Sequence, residues 1–491
     1  MTTTTSKGWT IIGAALLLGL LADLLLRSTP WSIGLVLWLG AALTVPFVLR
    51  PAGRTAYALP ALCALAAAAM MAVRASDDLF VFNLAALLTA LAVLLFRARG
   101  GAVSETTPEE GVGALVEATV HCLFGPFLLA ARDVDWSGER STTRRILVGA
   151  LLASPILLIL GALLAGAEPV FGAYLRAILD LPQLFLQAFI WGAFAWITAG
   201  FLRAVVLHPD GRWRPGRGPG IGEIESLTVL GAIAILFVAY LAVEARTLAG
   251  GAELVRSVTG MTYARYARQG FFELVVAAGI TLATLLAVDW ARGRGEGEPD
   301  PRVRGVSWAL LVMLGLVIAS AFARLALYVS YYGLSSTRVY AAMAIAWAAA
   351  AAAWFGITVL RGRRKRFVAG ALTAAVLWLA AADVANVDAL IVRFNVARAE
   401  SGRPFDAEYL GRLSADAVPT LISALPQVPV PARCDAVRGV QERAERSWGY
   451  DRDWRTWNLG IARAGRAVSQ ADLRRGYPEC FAQPAAKGDA H

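Results

Sequence analysis

The sequence predicts an all-α, polytopic transmembrane helix bundle of about 11 spans with a small α-helical C-terminal domain. Three observations lead there. Hydrophobic residues make up 57% of the 491 residues and charged residues only 17%, against about 25% charged in a soluble chain. Runs rich in Leu, Ala and Val recur along the chain, several near the ~20 residues needed to cross a bilayer. The last hundred or so residues change character, becoming Arg-, Asp- and Glu-rich with no further span.

Taken in order, the candidate spans lie near 9–26, 32–49, 56–73, 79–96, 146–166, 184–206, 224–243, 271–289, 306–328, 339–360 and 367–386. The opening MTTTTSKGW is short and polar, and the run from Trp9 to Leu26 is long for a signal-peptide core and has no A-x-A-like exit, so it reads as a retained first span. Pro46 and Pro60 sit near the ends of the second and third spans. Residues 113–131, which contain Glu117, His121 and Pro126, and residues 169–180 are apolar without clearly spanning, and read as interfacial helices. Polar linkers fall near 97–145, 207–223 and 290–305. Residues 1–386 thus form a membrane domain, and residues 387–491 a helical tail whose Trp448, Trp454 and Trp457 suit a core or a membrane surface.

Basic residues orient the chain. One alternate set of loops carries Arg97, Arg99, Arg132, Arg140, Arg144 and Arg145, and later Arg361, Arg363, Arg364, Lys365 and Arg366; the other set carries scattered arginines such as Arg27, Arg74 and Arg176. The positive-inside rule then predicts a cytoplasmic N-terminus and an extracytoplasmic tail in a bacterial plasma membrane. The net charge of +10 is accounted for by these loops facing anionic lipid, so membrane lipids are expected partners and nucleic acid is not. Of the cysteines, Cys63 and Cys122 fall in or near membrane segments, while Cys434 and Cys480 both lie in the tail. There an oxidising compartment would allow a disulfide, with two free buried thiols the equal alternative.

Motifs for chemistry are sparse. Glycines 216, 218, 220 and 222 follow His208-Pro209 rather than a strand, and no Gly-Lys-Ser/Thr completes a phosphate loop. The histidines are His121, His208 and His491, and neither H-E-x-x-H nor C-x-x-C occurs, so no metal site or cofactor is expected. G-x-S-x-G is also absent. The expectation is a non-enzymatic protein.

Ionisable residues within or at the ends of spans carry more information, because a charge in hydrocarbon is costly and faces protein or a wet cavity. These are Asp23, Glu244, Glu273, Arg324 and Asp383, and Glu273 with Arg324 is the pair expected to meet. On the same side lie the polar stretches MTYARYARQGFFE (261–273) and YVSYYGLSSTRVY (328–340). In the first, Tyr263 and Tyr266 are three apart, as are Arg265 and Arg268, so each pair shares a helix face. In the second, Tyr331-Tyr332-Gly333 reads as a helix end with Gly333 at positive φ, Ser335 or Ser336 as the next N-cap, and Arg338 in the first turn. Arginines on an outer face suit phosphate or carboxylate.

The stretches TYARYARQGFFEL (262–274), YYGLSSTRVY (331–340) and NVDALIVRFNVARAESGRPFDAEYLGRLSADAVPTL (386–421) resemble a bacterial membrane family, domain-of-unknown-function family 4173, which has relatives in family 4153. The matching positions are Asn395, Arg398, Asp406, Tyr409, Leu410, Ser414, Asp416 and Pro419; Ser335 stands where the family has Thr. The resemblance implies a multi-span membrane protein and no established activity. The ligand-binding candidates are therefore Tyr263, Arg265, Tyr266, Arg268, Glu273, Arg324, Tyr332, Arg338, Asn395 and Arg398. The favoured role is a structural, assembly or sensory component of the cell envelope with an envelope protein partner. The alternatives are binding or transport of an anionic solute or lipid headgroup through an outward-facing polar cavity and, last, a membrane-embedded enzyme.

Overall fold

A computed structural model describes residues 2–50, 53–134, 182–207, 218–259, 271–293, 299–403, 406–447 and 453–481, with Gly216 and scattered positions between 149 and 172. Among the described residues the chain is helical and contains no strand. Among the described residues ten helices are long and apolar enough to cross a membrane, and Ile33–Leu49 is a shorter apolar one. The expected span at 146–166 and the interfacial segment at 169–180 lie mostly outside the described residues, and Trp448 lies outside them.

The membrane helices form two packed groups. The first comprises α1 (Thr2–Leu26), α2 (Ile33–Leu49), α3 (Arg54–Val73), α4 (Asp77–Ala98) and α6 (Pro182–Val206), around Ala64, Ala68, Leu94 and Ala204 and around Ile11, Leu129 and Leu202. Small residues let these helices approach closely, since lipid tails give apolar side chains no reason to leave them and packing must hold the bundle. A methyl group on Gly19 of α1 would strike the backbone and side chain of Trp191 on α6. The second group comprises α7 (Glu223–Thr259), α8 (Phe271–Ala291), α9 (Pro301–Tyr332), α10 (Ser336–Thr358) and α11 (Phe367–Ala385), around Leu230, Leu310, Leu314 and Phe355. The outward positions of both groups are large and apolar, among them Leu17, Leu59, Leu62, Ile235, Leu236 and Leu377. This is the reverse of a soluble surface and fits a lipid solvent.

Between the groups runs α5 (Pro108–Leu128). Pro108 sits at its first turn, where a missing N–H costs nothing, and the Glu110 carboxylate accepts the Thr107 N–H at 3.1 Å. With the π turn Leu129–Asp133 that follows, it is long enough to span. Its contacts nevertheless run along one end of the bundle. Glu109 meets Arg364 at 3.1 Å, Glu117 meets Arg99 at 3.0 Å, and Asp133 meets Arg203 at 2.6 Å. These three arginines lie at the ends of α10, α4 and α6, the end where Arg50 donates to the carbonyls of Ala98 and Val205. In its last turns α5 packs against α6, with Gly125 on Gly200 and the Trp196 indole donating to Leu123 O at 2.8 Å. The region read as a linker near 97–145 therefore contains a long helix, and the segment 113–131 read as interfacial belongs to one of the ten helices long and apolar enough to span.

At the opposite end the chain builds a cap from α12 (Val387–Glu400), α13 (Ala407–Arg412), α14 (Val418–Ala424), α15 (Val430–Ser447) and α16 (Leu459–Ala471). Its core, with Ile391, Val392, Leu410, Leu421, Val437 and Cys480, is continuous with Leu79 of α4 and Ala382 of α11. Cys434 and Cys480 are joined as a disulfide with Cα atoms 4.7 Å apart. Trp454 and Trp457 are exposed rather than in the cap core. They sit beside the ends of α1 and α2, where Arg455 donates to Leu24 O at 2.6 Å and Ser32 donates to Trp457 O at 2.5 Å.

Candidate functional site

The cap is held to the ends of the membrane helices by polar side chains, and this junction gathers most of the residues that the sequence singled out. It starts from a problem at the end of α9. The last four carbonyls of a helix lack intrahelical partners, and the accumulated dipole leaves partial negative charge there. Gly333 ends the helix at φ +80°, and its lack of a side chain is required twice over, because a Cβ would also collide with Oδ1 of Asn395. Three arginines then supply the donors. Arg338 bonds the carbonyls of Tyr332 and Gly333 and lies 4.0 Å over the Tyr328 ring. Arg398 bonds Ser330 O at 3.1 Å and Tyr331 O, and Arg403 bonds Ser330 O at 2.7 Å. Burial, then repulsion from Arg403 and Arg338, lowers the Arg398 pKa, and the helix end offsets that repulsion.

Asn395 completes this joint. Its Oδ1 accepts the Leu334 N–H at 2.9 Å and its Nδ2 donates to Leu334 O at 2.8 Å. Ser335 is the N-cap of α10, in extended conformation and without a side-chain cap bond. The next donor, the Ser336 N–H, goes to the Tyr409 hydroxyl at 2.8 Å.

A second joint lies between α3, α4 and the cap. The Asp416 carboxylate accepts the Ala75 N–H at 2.6 Å, and its carbonyl accepts from Asn386 Nδ2 at 3.1 Å. Gly460, in the first turn of α16, packs so close that a Cβ there would strike Asp416 Oδ1. Asn458 donates to Met71 O at 3.0 Å and Arg74 O at 2.8 Å, capping the end of α3. Arg74 bonds Asp383 O at 2.6 Å, and the Asp383 carboxylate accepts from Asn83 at 3.0 Å. Nearby, the buried Asp388 accepts from Ser414 Oγ. Burial, the largest effect, pushes the Asp416 pKa up to about 6 against the pull of Ala75 N–H and Arg74, and Asp388 pushes it the same way. Burial also raises the Asp388 pKa.

The ion pair expected between Glu273 and Arg324 takes a different form. Arg324 bonds both carboxylate oxygens of Glu244 on α7, and Ser320 donates to the same carboxylate at 2.5 Å. Glu244 is 5% exposed, whereas Glu273 is exposed at the start of α8. The reason is registry: α7 and α9 run parallel, so Glu223 meets Arg302 at their beginnings and Glu244 meets Arg324 about six turns further on. Nothing in a linear pattern distinguishes the two glutamates.

Of the remaining expected ligand residues, Tyr263, Arg265, Tyr266 and Arg268 lie outside the described residues. Tyr332 is exposed, edge-on to Tyr328 at 5.2 Å. Arg338, Asn395 and Arg398 do converge, on backbone groups. The sequence reading missed Asp388, Asn458 and Arg403 as partners. Asn458, directly before an amphipathic helix, carries an N-cap signature, and its Oδ1 accepts Ile461 N–H at 3.2 Å. Among the described residues no group of three or more His, Cys, Asp or Glu is arranged to hold a metal ion.

Chemically the junction binds protein to protein. The remaining positions of the C-terminal motif shape the cap itself: Asp406 caps α13 and accepts Tyr409 N–H at 2.9 Å, Leu410 is 1% exposed, Ser414 accepts Asp416 N–H at 3.2 Å, and Pro419 opens α14. No curated protein matches the chain. No solved structure matches it either. Residues 61–424 match the family model described as domain of unknown function (DUF4153), the family that the motifs placed beside family 4173. That match covers the membrane helices from most of α3 onward, the first joint and the Asp416 side of the second, and the chain belongs to the DUF4153 family.

Proposed function

We propose that this membrane protein is a structural, assembly or sensory component of the bacterial cell envelope, with its N-terminus in the cytoplasm and its disulfide-closed cap outside the plasma membrane. The observation that carries the reading is the junction itself: side chains of the cap, the half-buried Asn395 and the buried Asp416 and Asn458 foremost, bond backbone groups at the ends of α3, α4, α9 and α10. A cap held at so many helix ends is a fixed platform, and any force or partner on it reaches the whole bundle. The α16 face carrying Arg463 and Arg466 is exposed on this platform. Binding of an anionic solute at the outer face is the weaker reading, because donors of Arg338 and Arg398 already serve the α9 carbonyls. A membrane-embedded enzyme is the last of the three readings.

The test is site-specific photocrosslinking in intact cells from positions 463 and 466, with Leu377 on the lipid-facing surface as control. A discrete envelope-protein adduct from the cap positions alone is expected. Absence of any adduct, together with an accumulating solute in a deletion strain, would favour the transport reading. Labelling of an introduced Arg466→Cys by a membrane-impermeant reagent in intact cells tests the orientation; protection until the membrane is broken would reverse it.

A further inference from the structure

At the arginine-rich end, α4, α5, α8 and α11 do not close on one another. They leave a groove of about 910 Å³ lined by apolar side chains such as Val93, Phe96, Val116, Ala287, Trp290 and Leu372. That lies at the upper end of the about 300–1,000 Å³ typical of small-molecule sites. The groove reaches from Trp290 to Ala283 along α8 and from Phe96 to Thr89 along α4, about two turns into the hydrocarbon from that face.

Its rim is positively charged. Two carboxylates line the groove, and each meets an arginine: Glu117 meets Arg99 at 3.0 Å, and Glu109 meets Arg364 at 3.1 Å, an arginine it shares with Asp289 at 3.0 Å. The turn 361–366 leads straight into Phe367 and Val368 of the groove wall, and there Arg361, Arg363 and Arg366 are exposed. Glu105 is an exposed carboxylate on the neighbouring turn and offsets part of this charge. An apolar slot entered from the bilayer under an arginine cluster at headgroup level has the chemistry of one kind of occupant.

We propose that this groove binds an anionic phospholipid, its acyl chains between α5 and α11 and its phosphate against Arg361, Arg363 and Arg366. The inference goes beyond the envelope role and does not depend on it. The binding is separate from the annular lipid around the exposed leucines, because it selects by charge and occupies a defined volume.

The experiment is native mass spectrometry of the full-length protein, delipidated in detergent and titrated with phosphatidylglycerol or phosphatidylcholine of identical chains. One retained phosphatidylglycerol is expected, preferred over phosphatidylcholine by about tenfold or more, as a cluster of arginines near a headgroup allows. Replacing Arg361, Arg363 and Arg366 together by Gln abolishes that preference. Ala287→Trp, or Ala371→Phe if the first does not fold, fills the groove and removes retention of both lipids while thermal stability holds. Equal retention of the two lipids by the native protein, or retention of phosphatidylglycerol undiminished in the filled variant, would overturn the proposal.

Discussion

Asn395 grips Leu334 by both of its backbone groups, accepting its N–H at 2.9 Å and donating to its carbonyl at 2.8 Å. An amide is the one side chain that can do both at this length, because an aspartate only accepts and a leucine does neither. Replacing Asn395 by Asp leaves the Leu334 carbonyl without its donor and places a carboxylate against it. We expect a loss of about 1–3 kcal/mol, read as a lower thermal midpoint in detergent and faster amide exchange at Leu334. A midpoint equal to that of the native protein would remove the joint from the account of how the cap is held.

Gly333 is required for two reasons at once, its backbone conformation and the close approach of Asn395. Gly333 and Gly53 both have positive φ, +80° and +87°. A Cβ at Gly53 would meet nothing within 4 Å, whereas one at Gly333 would meet Asn395 Oδ1 and the Arg398 guanidinium. Gly53→Ala, in the left-handed region at ψ +11°, therefore carries only a backbone cost of roughly 1 kcal/mol, whereas Gly333→Ala carries a larger backbone cost at ψ −173°, where essentially only glycine is found, and the displacement of Asn395 as well. The expected order is Gly333→Ala clearly below Gly53→Ala, with combination of Gly333→Ala and Asn395→Ala falling short of the sum.

Much of this was legible in the sequence. Gly333 was read as the end of α9 because Tyr-Tyr-Gly precedes Ser-Ser-Thr, a stop signal followed by a start signal. The spans were legible because a helix in lipid must be apolar over its whole length. What the sequence could not show was the target of the arginines. Arg338 and Arg398 were assigned to an anionic ligand because arginine suits anions. The structure supplies partial negative charge from the end of a helix instead, which is a property of backbone direction and carries no residue code. The choice of Glu244 over Glu273 was hidden for a similar reason: it depends on α7 and α9 being parallel neighbours, which no pattern along one helix states.

The Asp416 joint predicts how the cap responds to pH. Its carboxyl has an ordinary pKa of 3.8 and is pushed up to about 6 by burial when the cap is docked. Between those values the docked state binds more protons than the open one, so stability gained on protonation is present at low pH and is lost as pH rises through the docked pKa. Asp388, also raised by burial, acts in the same direction. The cap should therefore melt at a higher temperature near about pH 5 than near about pH 7. Asp416→Asn should flatten that slope while keeping the side-chain oxygen that accepts from Ala75. A native cap that weakens steadily on acidification across this interval would contradict the assignment.

Glu244 and Arg324 test whether a buried ion pair stabilises this bundle or merely specifies its registry. Their side chains are 7% and 13% exposed, so removing either charge strands the other in a poorly solvated place. Glu244→Leu or Arg324→Met alone should cost about 3–5 kcal/mol. The double replacement should recover most of that, because both desolvation costs vanish with the attraction. Glu273→Gln, at an exposed position, should stay within about 0.5 kcal/mol of the native protein. Thermal midpoints of the four variants in one detergent decide the matter. If the double variant is as unstable as the sum of the singles, the two side chains act independently. If it regains the native midpoint but its intramolecular crosslinks between α7 and α9 shift by a turn, the pair's contribution is registry, which fixes where Glu223 meets Arg302 at the other end of the same two helices.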